Sequence, residues 1–395
     1  MRDLIVFGED LGGLPSSTQH LVKRLADDRQ VLWINSIGLR QPRINRRDLS
    51  RVWQKLRPVN LATHRGSDVT RSTPGYSEHH GSQITQANLL TIPAPRSPLA
   101  RRVARDVMLH QLMPLVEQLG MQRPILWSSL PTAADLCTHL DHSGVVYYCG
   151  DDFSSLAGVD HTTVSQHEQT LVEQADLILV ASEKLRRKFP ERKTHLLPHG
   201  VDTQLFSQPA PRANDLPQTN GPIAGFYGSV SEWLDFELID YCATALPDWQ
   251  FVFIGPICVE PNRLPLHANI HYLGPRPHHQ LPSYSQHWDV SMLPFLNNEQ
   301  IHACNPLKLL EYLAAGQPVV SVDFPALSPY RRHLHTAVSN AANSNSAESN
   351  SVENKAQFVQ SLQIACHSPR IPPSAIQGQS WDDRSAFLNW MLELL

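Results

Sequence analysis

The stretch IAGFYGSVSEWLDFELIDYCATALPDWQFVFIG (residues 223–255) decides the fold class of the second half of the chain. Two short apolar runs, IAGFYG (223–228) and QFVFIG (250–255), flank a segment with helical periodicity at Leu234–Ala245. A strand, a crossover helix and a second strand in this order form a βαβ unit, which favours a parallel sheet. In such sheets ligands bind beyond the carboxyl ends of the strands, so the glycine that ends the first run can admit a phosphate.

The same alternation of apolar runs and helical patterns continues on both sides of this unit. Residues 207–220 are rich in Pro, Asn and Gln, which indicates a linker between two α/β domains. Further strands are predicted downstream at 269–274, 289–293 and 318–323, and upstream at 4–7, 31–35, 88–92, 125–127, 145–149, 176–181 and 195–198.

The overall composition excludes several classes of protein. The chain has 395 residues, 41% hydrophobic and 18% charged, which is typical of a soluble protein with two domains. A net charge of −4 leaves no basic field, so we expect no nucleic-acid partner. The six cysteines form no C-x-x-C pair, which argues against a disulfide framework or a zinc site and favours a reducing, cytoplasmic location. No apolar run approaches the ~20 residues that span a membrane.

The segment NPLKLLEYLAAG (305–316) predicts a short, mostly apolar helix. Asn305 is a good N-cap, Pro306 a good first helical residue and Gly316 a good C-terminal stop. Residues three apart share a helix face, so Lys308 and Glu311 are neighbours. A lysine in the first turn opposes the helix dipole, and Lys before Glu is the poorer order for an ion pair. Helix stability therefore does not explain these two charges.

A ligand does explain them. The start of a helix, here Asn305, Pro306 and Leu307, together with Lys308 makes an anion site that suits a diphosphate. Glu311, one turn further on, can accept hydrogen bonds from two ribose hydroxyls. The alternative is an ordinary ion pair on a helix that merely packs against the sheet.

Five segments together resemble one family of enzymes. They are PHGVD (198–202), NPLKLLEYLAAGQPVVS (305–321), YGSVSEWLDFELI (227–239), YYCGDDFSSL (147–156) and ADLILVASEKL (175–185). The chain is similar over nearly its whole length to GT-B retaining glycosyltransferases of the GT4-like group, glycosyl transferases group 1. Within that group it resembles bacterial surface-polysaccharide enzymes of the teichuronic acid type.

The resemblance implies two Rossmann-like domains that face a central cleft, one for the acceptor and one for the donor. Residues 1–206 would form the N-terminal acceptor domain, which a C-terminal helix at 380–395 rejoins. Residues 221–379 would form the domain that binds the nucleotide-sugar donor.

The resemblance also assigns roles to individual residues. Glu311 matches the second glutamate of the family's Glu-x7-Glu motif, which binds the donor ribose. The first glutamate position falls on Ala303, so the contact to the sugar ring is unassigned unless Glu299 or Asn305 substitutes. Gly228-Ser229 would contact the donor phosphates, or else it forms only a tight turn between a strand and a helix.

Four further positions have two interpretations each. Arg276 either lies near the base or is a solvated loop residue. Gly12-Gly13 is either a loop that approaches acceptor and phosphate or a plain turn. Asp151 and Asp152 follow a predicted strand, where Asp151 could act as a base toward an acceptor hydroxyl or either residue could cap a turn. Because Asp-Asp is not the Asp-x-Asp of metal-dependent transferases, we expect no metal.

The predicted function is transfer of a sugar from a UDP- or GDP-linked donor to a hydroxyl of a saccharide or a lipid-linked acceptor in bacterial polysaccharide synthesis. The resemblance implies retention at the anomeric carbon and no further cofactor. Alternatives are a nucleotide-sugar 2-epimerase and a non-catalytic homologue that binds nucleotide. The basic stretch Arg43–Arg57, which contains Trp53, predicts peripheral contact with the inner face of a membrane, or else a solvated helix that flanks the acceptor cleft.

Overall fold

The chain divides into two compact units. The computed structural model describes residues 1–12, 16–36, 62–63, 84–92, 97–153, 160–337 and 352–395. The first unit comprises Met1–Pro198 together with Trp381–Leu395, and the second comprises His199–Ser380. The fold class is α/β, as the alternation of apolar runs and helical patterns predicts.

The first unit is built on a sheet with the described strand order β3-β4-β2-β1-β5-β6-β7-β8. Its strands run parallel, except that β3 pairs antiparallel with β4. The strands are β1 (Leu4–Phe7), β2 (Val31–Ile34), β3 (Ala62–Thr63), β4 (Ile84–Ala87), β5 (Ile125–Ser128), β6 (Gly144–Cys149), β7 (Leu177–Val180) and β8 (Thr194–Leu196). The helices before the second unit are α1 (Ser17–Leu25), α2 (Pro98–Gln118), α3 (Ala134–Cys137), α4 (His161–Gln174) and α5 (Glu183–Arg186).

The last helix of the chain, Trp381–Leu392, belongs to the first unit and packs on α1. The Trp381 side chain is 1% exposed, and its ring stacks on His20 with the centroids 4.7 Å apart. Arg24 Nε lies 2.5 Å from Asp382 Oδ1, and the buried Arg29 guanidinium donates to Asn389 Oδ1. Both aromatic and charged contacts therefore hold this helix to the beginning of the chain.

The described strands of the second unit form a parallel sheet with the order β11-β10-β9-β12-β13-β14. Counted from its first strand this order is 3-2-1-4-5-6, in which the topology reverses between β9 and β12. The strands are β9 (Ile223–Tyr227), β10 (Gln250–Ile254), β11 (Ile270–Gly274), β12 (Val290–Leu293), β13 (Val319–Val322) and β14 (Leu334–Ala337). The helices are α6 (Thr203–Ser207), α7 (Phe236–Ala245), α8 (Pro282–Ser285), α9 (Glu299–Ala303), α10 (Leu307–Ala315) and α11 (Val352–Ala365); the helix Trp381–Leu392 is α12.

The reversal point is packed with aromatic rings. A Cβ built on Gly225 of β9 would lie 1.8 Å from the Trp288 ring, so only glycine fits beneath this buried side chain. The pairing of β9 with β12 ends at Gly225 and Ser291, and beyond it the Tyr227 amide donates to the Tyr312 hydroxyl at 3.0 Å. Tyr312 lies on α10. The helix that carries the charged motif is therefore anchored to the point where ligands bind in such sheets.

Candidate functional site

Helix α10 begins one residue later than the sequence predicts. It spans Leu307–Ala315, and Pro306 occupies the N-cap position with an extended ψ of 116°. Asn305 is therefore not the N-cap residue, and the Pro306 side chain forms no capping hydrogen bond. The prediction failed because the proline carbonyl itself accepts from the Leu309 amide, at 3.1 Å. The predicted stop is confirmed, because Gly316 closes the helix with a φ of +83°.

Lys308 reaches from α10 to the carboxyl end of β9. A Cβ built on Gly228 would lie 2.3 Å from the Lys308 Cε and 3.0 Å from its Nζ, so the lysine runs against the glycine backbone. Its Nζ lies 5.7 Å from the centroid of the Phe226 ring. The structure thus brings together the predicted phosphate glycine and the predicted phosphate lysine. Ser229 follows directly and is half-buried.

Three glycines line the ends of three neighbouring strands beside this lysine. Gly228, Gly255 and Gly274 all have a positive φ, of +131°, +148° and +72°. A Cβ on Gly255 would lie 2.0 Å from the Gly228 carbonyl oxygen, so the two loops are in backbone contact. This close approach leaves the edge of the sheet lined by backbone groups, which suits the binding of an anion.

Glu311 is buried one helical turn beyond Lys308 and has a histidine as its partner. The His278 Nε2 lies 2.7 Å from the Glu311 Oε1, and the two side chains are 13% and 8% exposed. Burial alone would lower the pKa of His278, but the hydrogen bond to Glu311 and the charges of Glu311 and Asp202 outweigh it and raise the pKa above its ordinary value.

Tyrosines complete the surroundings of Glu311. The Tyr227 and Tyr312 rings meet edge to face with centroids 4.8 Å apart. Burial first, and the charge of Glu311 second, raise the pKa of Tyr227, so its phenol stays protonated and can act as a donor. Glu311 therefore lies in a buried setting of donors rather than in solvent.

Arg276 has partners other than this group of residues. Its Nη2 lies 2.6 Å from Asp215 Oδ2, and its Nε donates to the Tyr284 hydroxyl at 3.0 Å. The guanidinium is therefore engaged in a structural ion pair, and a role beside the base stays a prediction. Asp235 caps α7, because its Oδ1 accepts from the Leu238 amide at 2.9 Å.

Ala303, which stands where the family motif has its first glutamate, is a buried core residue. Ala303 is 1% exposed at the end of α9. Glu299, which could have substituted for it, is 75% exposed in the first turn of the same helix. The contact to the donor sugar ring stays unassigned.

The first unit presents its candidates at the carboxyl edge of its own sheet. Gly12 has a φ of +83°, and its amide donates to Gln19 Oε1 at 3.2 Å, while Gly13 lies outside the described residues. Asp151 is exposed directly after β6. Asp152 forms an ion pair with Lys188, 2.8 Å from carboxylate to ammonium, and the same lysine lies 2.9 Å from Glu168. Asp152 is thus a structural residue, and Asp151 stays a candidate.

Sequence reasoning missed one carboxylate in the first unit. Glu9 follows β1, and its side chain accepts a hydrogen bond from the Ser16 hydroxyl at the start of α1. Burial raises the pKa of Glu9 above its ordinary value, against the opposing effect of hydrogen bonds from its own backbone and from Gln19. A glutamate soon after a predicted strand is a signal that could have identified it, since ligands bind beyond the carboxyl ends of the strands in such sheets.

Two structural properties bear on metals and membranes. Within the ranges that the structure describes, no group of three or more His, Cys, Asp or Glu side chains has a spacing that could hold a metal ion. None of the helices in these ranges is both long and apolar enough to cross a bilayer. The basic stretch Arg43–Arg57 lies outside the described residues.

Comparison with known proteins identifies the class of the second unit. Residues 222–349 match the sequence profile described as glycosyl transferases group 1, and the match includes β9, Gly228 and α10. Residues 222–349 are therefore similar to glycosyl transferases group 1, and within the matched segment Lys308 and Glu311 lie on the last helix before β13.

Individual relatives agree with this class. A protein of Bacillus subtilis (strain 168), named provisionally as the teichuronic acid biosynthesis glycosyltransferase TuaH, is 28% identical over 251 residues, 56% of this chain and 62% of that protein. The alignment thus spans about three fifths of that relative's length.

Solved structures show the fold. The sucrose-phosphate synthase tll1590 from Thermosynechococcus elongatus matches with a TM-score of 0.65 at 14% identity, over 100% of this chain and 99% of that one. Anabaena Alr3699/HepE in complex with UDP and glucose matches with a TM-score of 0.65 at 13% identity, over 100% of both chains. The predicted GT-B fold of two α/β units is thereby confirmed.

Proposed function

We propose that this protein is a glycosyltransferase that moves a sugar from a nucleoside-diphosphate sugar to a hydroxyl group. The observation that carries the proposal is the position of Lys308, whose ammonium lies against Gly228 at the reversal point of the second sheet. That position combines a helix N-terminus, a lysine and open glycine backbone, each of which favours a diphosphate.

The chemistry follows from where negative charge develops. As the bond between the sugar and the diphosphate breaks, the leaving diphosphate gains negative charge. Lys308, the backbone amides in the first turn of α10 and the Ser229 hydroxyl are the donors that would stabilise it. Glu311 would accept the ribose hydroxyls, which fixes the nucleotide relative to the lysine. The related Anabaena protein was solved with UDP and glucose, which supports a donor of this type.

Calorimetric titration with UDP and GDP tests the donor site. Lys308→Ala and Glu311→Ala should each weaken binding about tenfold or more, because each loses a charge-assisted hydrogen bond of ~1.5–3 kcal/mol. Lys355→Ala and Glu237→Ala are matched controls in the same unit, since these two residues form an ion pair with an N–O distance of 2.9 Å, in which the Glu237 side chain is 74% exposed. Wild-type affinity in either Lys308 or Glu311 variant would overturn the donor assignment.

A non-catalytic nucleotide-binding protein is the second candidate, and Ala303 is the observation that favours it. A buried alanine replaces the glutamate expected to contact the donor sugar. Hydrolysis or transfer of a donor sugar, followed by mass spectrometry with and without an added saccharide, separates the two functions. Tight nucleotide binding with no turnover on any donor would favour the second candidate, whereas conversion of the donor alone to an isomer would indicate an epimerase.

The proposal extends to the chemical class of the acceptor and to the unit that binds it. The name of the Bacillus subtilis relative refers to teichuronic acid synthesis, which supports a saccharide or a lipid-linked acceptor in polysaccharide synthesis. We infer that the acceptor binds to the first unit, with Asp151, Gly12 and Glu9 as candidate contacts. The family resemblance supports retention at the anomeric carbon.

The basic stretch Arg43–Arg57 supports reversible contact with an anionic membrane, at ~1 kcal/mol per basic residue near the surface. Flotation with anionic liposomes should fail when Arg46, Arg47 and Arg51 are changed to Glu, and it should weaken with salt. Equal flotation of that variant, or none by the wild type, would exclude the membrane contact.

A further inference from the structure

We propose that His278 is a positioning residue that holds Glu311 by an ion pair and makes nucleoside-diphosphate binding depend on protonation of the imidazole. The inference rests on the proposed function, because it takes Lys308 and Glu311 as the donor site. It adds to this site a residue that does not lie on α10, the helix that carries Lys308 and Glu311.

The contact is direct and largely protected from solvent. His278 begins a single helical turn, His278–Gln280, that follows β11, so the chain delivers it from a different strand than the one that ends at Gly228. Its Nε2 lies 2.7 Å from the Glu311 Oε1, and the edge of its ring packs on Phe206 with centroids 5.4 Å apart. A carboxylate in such a contact is restricted in rotation, which orients its remaining lone pairs.

The charges around His278 favour its protonated form. The charged groups that face it are Glu311 from α10 and Asp202 from the residue before α6, while Phe206 of α6 contributes an uncharged ring. The neighbouring tyrosine, Tyr227 of β9, stays neutral because burial and the charge of Glu311 raise its pKa. The two carboxylates therefore favour the protonated imidazole over the neutral one.

The proton matters because the ligand is an anion. A nucleoside diphosphate brings at least two negative charges close to Glu311, whose own charge repels them. A protonated His278 offsets the Glu311 charge and leaves the other carboxylate lone pairs to accept ribose hydroxyls. A neutral His278 can still donate one hydrogen bond, but the carboxylate charge is then uncompensated, so the diphosphate binds more weakly.

Calorimetry with UDP, or with GDP where UDP does not bind, tests the inference from about pH 6 to about pH 8.5. His278→Gln places an amide donor near the Nε2 position without a charge, and His278→Ala removes the donor as well. We expect His278→Gln to bind about fivefold more weakly than wild type at pH 6, the difference between a charge-assisted and a neutral hydrogen bond. The gap should close as the pH rises, and His278→Ala should bind more weakly than His278→Gln throughout.

His267→Gln is the matched control, because His267 forms a similar 2.8 Å contact with Asp240 in the same unit. It should follow the wild-type profile, and since the phosphate of UDP titrates equally in every variant, the difference between profiles isolates His278. Circular dichroism establishes that each variant is folded. A constant ratio of wild-type to His278→Gln affinity across the pH range would overturn the inference alone. Absence of UDP and GDP binding by wild type would overturn the proposed function and this inference with it.

Discussion

The side chain of Lys308 fills the space that a side chain at residue 228 would need. A Cβ on Gly228 would lie 2.3 Å from the lysine Cε, and the φ of +131° disfavours any other residue. We predict that Gly228→Ala displaces the ammonium and weakens nucleoside-diphosphate binding about tenfold or more, as loss of the lysine itself would. Calorimetric titration of the folded variant measures this.

Gly274→Ala separates displacement of the lysine from backbone strain. Gly274 also has a positive φ, of +72°, but a Cβ there meets no atom within 4 Å. This variant should lose about 1 kcal/mol of stability and keep its nucleotide affinity. Equal weakening of binding in both variants would show that strain at the sheet edge, rather than the position of Lys308, controls affinity.

The sequence predicts those parts of the fold and site that depend on local pattern. Runs such as IAGFYG and QFVFIG identify β9 and β10 because burial on both faces of a parallel sheet requires continuous apolar residues. Lys308 and Glu311 could be paired because three residues along a helix share a face.

Contacts between distant segments could not be predicted in this way. His278 meets Glu311 across 33 positions, and no local spacing links a turn after β11 to a helix after β12. The ion pair of Arg276 with Asp215 spans 61 positions, so the guanidinium could be placed only once the packing of α8 was known. The start of α10 was wrong by one residue because Pro306 adopts an extended ψ, and proline fixes φ but not ψ.

The contact between His278 and Glu311 should also make the thermal stability of the protein depend on pH. Because the pKa of His278 is raised in the folded state, its stabilising contribution is complete below about pH 6.5, the unfolded pKa, and is lost as the pH rises through the folded pKa. The difference in melting temperature between wild type and His278→Gln should therefore be larger at about pH 6 than at about pH 8.5. His271 and His335, whose pKa values burial lowers, act in the opposite sense but are present in both proteins. A pH-independent difference would contradict the raised pKa.

The C-terminal helix should be required for stability of the first unit. Trp381 is 1% exposed and stacks on His20 of α1, so Trp381→Ala removes a buried ring and should cost ~3–5 kcal/mol. Trp390→Ala on the same helix is the control, because Trp390 is 60% exposed and its loss should cost far less. Chemical denaturation, with limited proteolysis to locate the unfolded unit, measures both. Unfolding that begins within His199–Ser380 in Trp381→Ala would contradict the assignment of this helix to the first unit.

The proposed transferase activity should survive removal of divalent metal ions. Lys308 lies against the Gly228 backbone in the first turn of α10, so the protein supplies its own positive charge for the leaving diphosphate. We predict that EDTA leaves most of the sugar transfer intact, while Lys308→Ala loses about 100-fold or more of the turnover and is not rescued by Mg²⁺. Lys355→Ala is the control for loss of a lysine elsewhere in the unit. Transfer rates with EDTA, Mg²⁺ and Mn²⁺ decide the matter, since a strict need for either ion would overturn the electrostatic role of Lys308 and direct attention to Asp151 and Asp152.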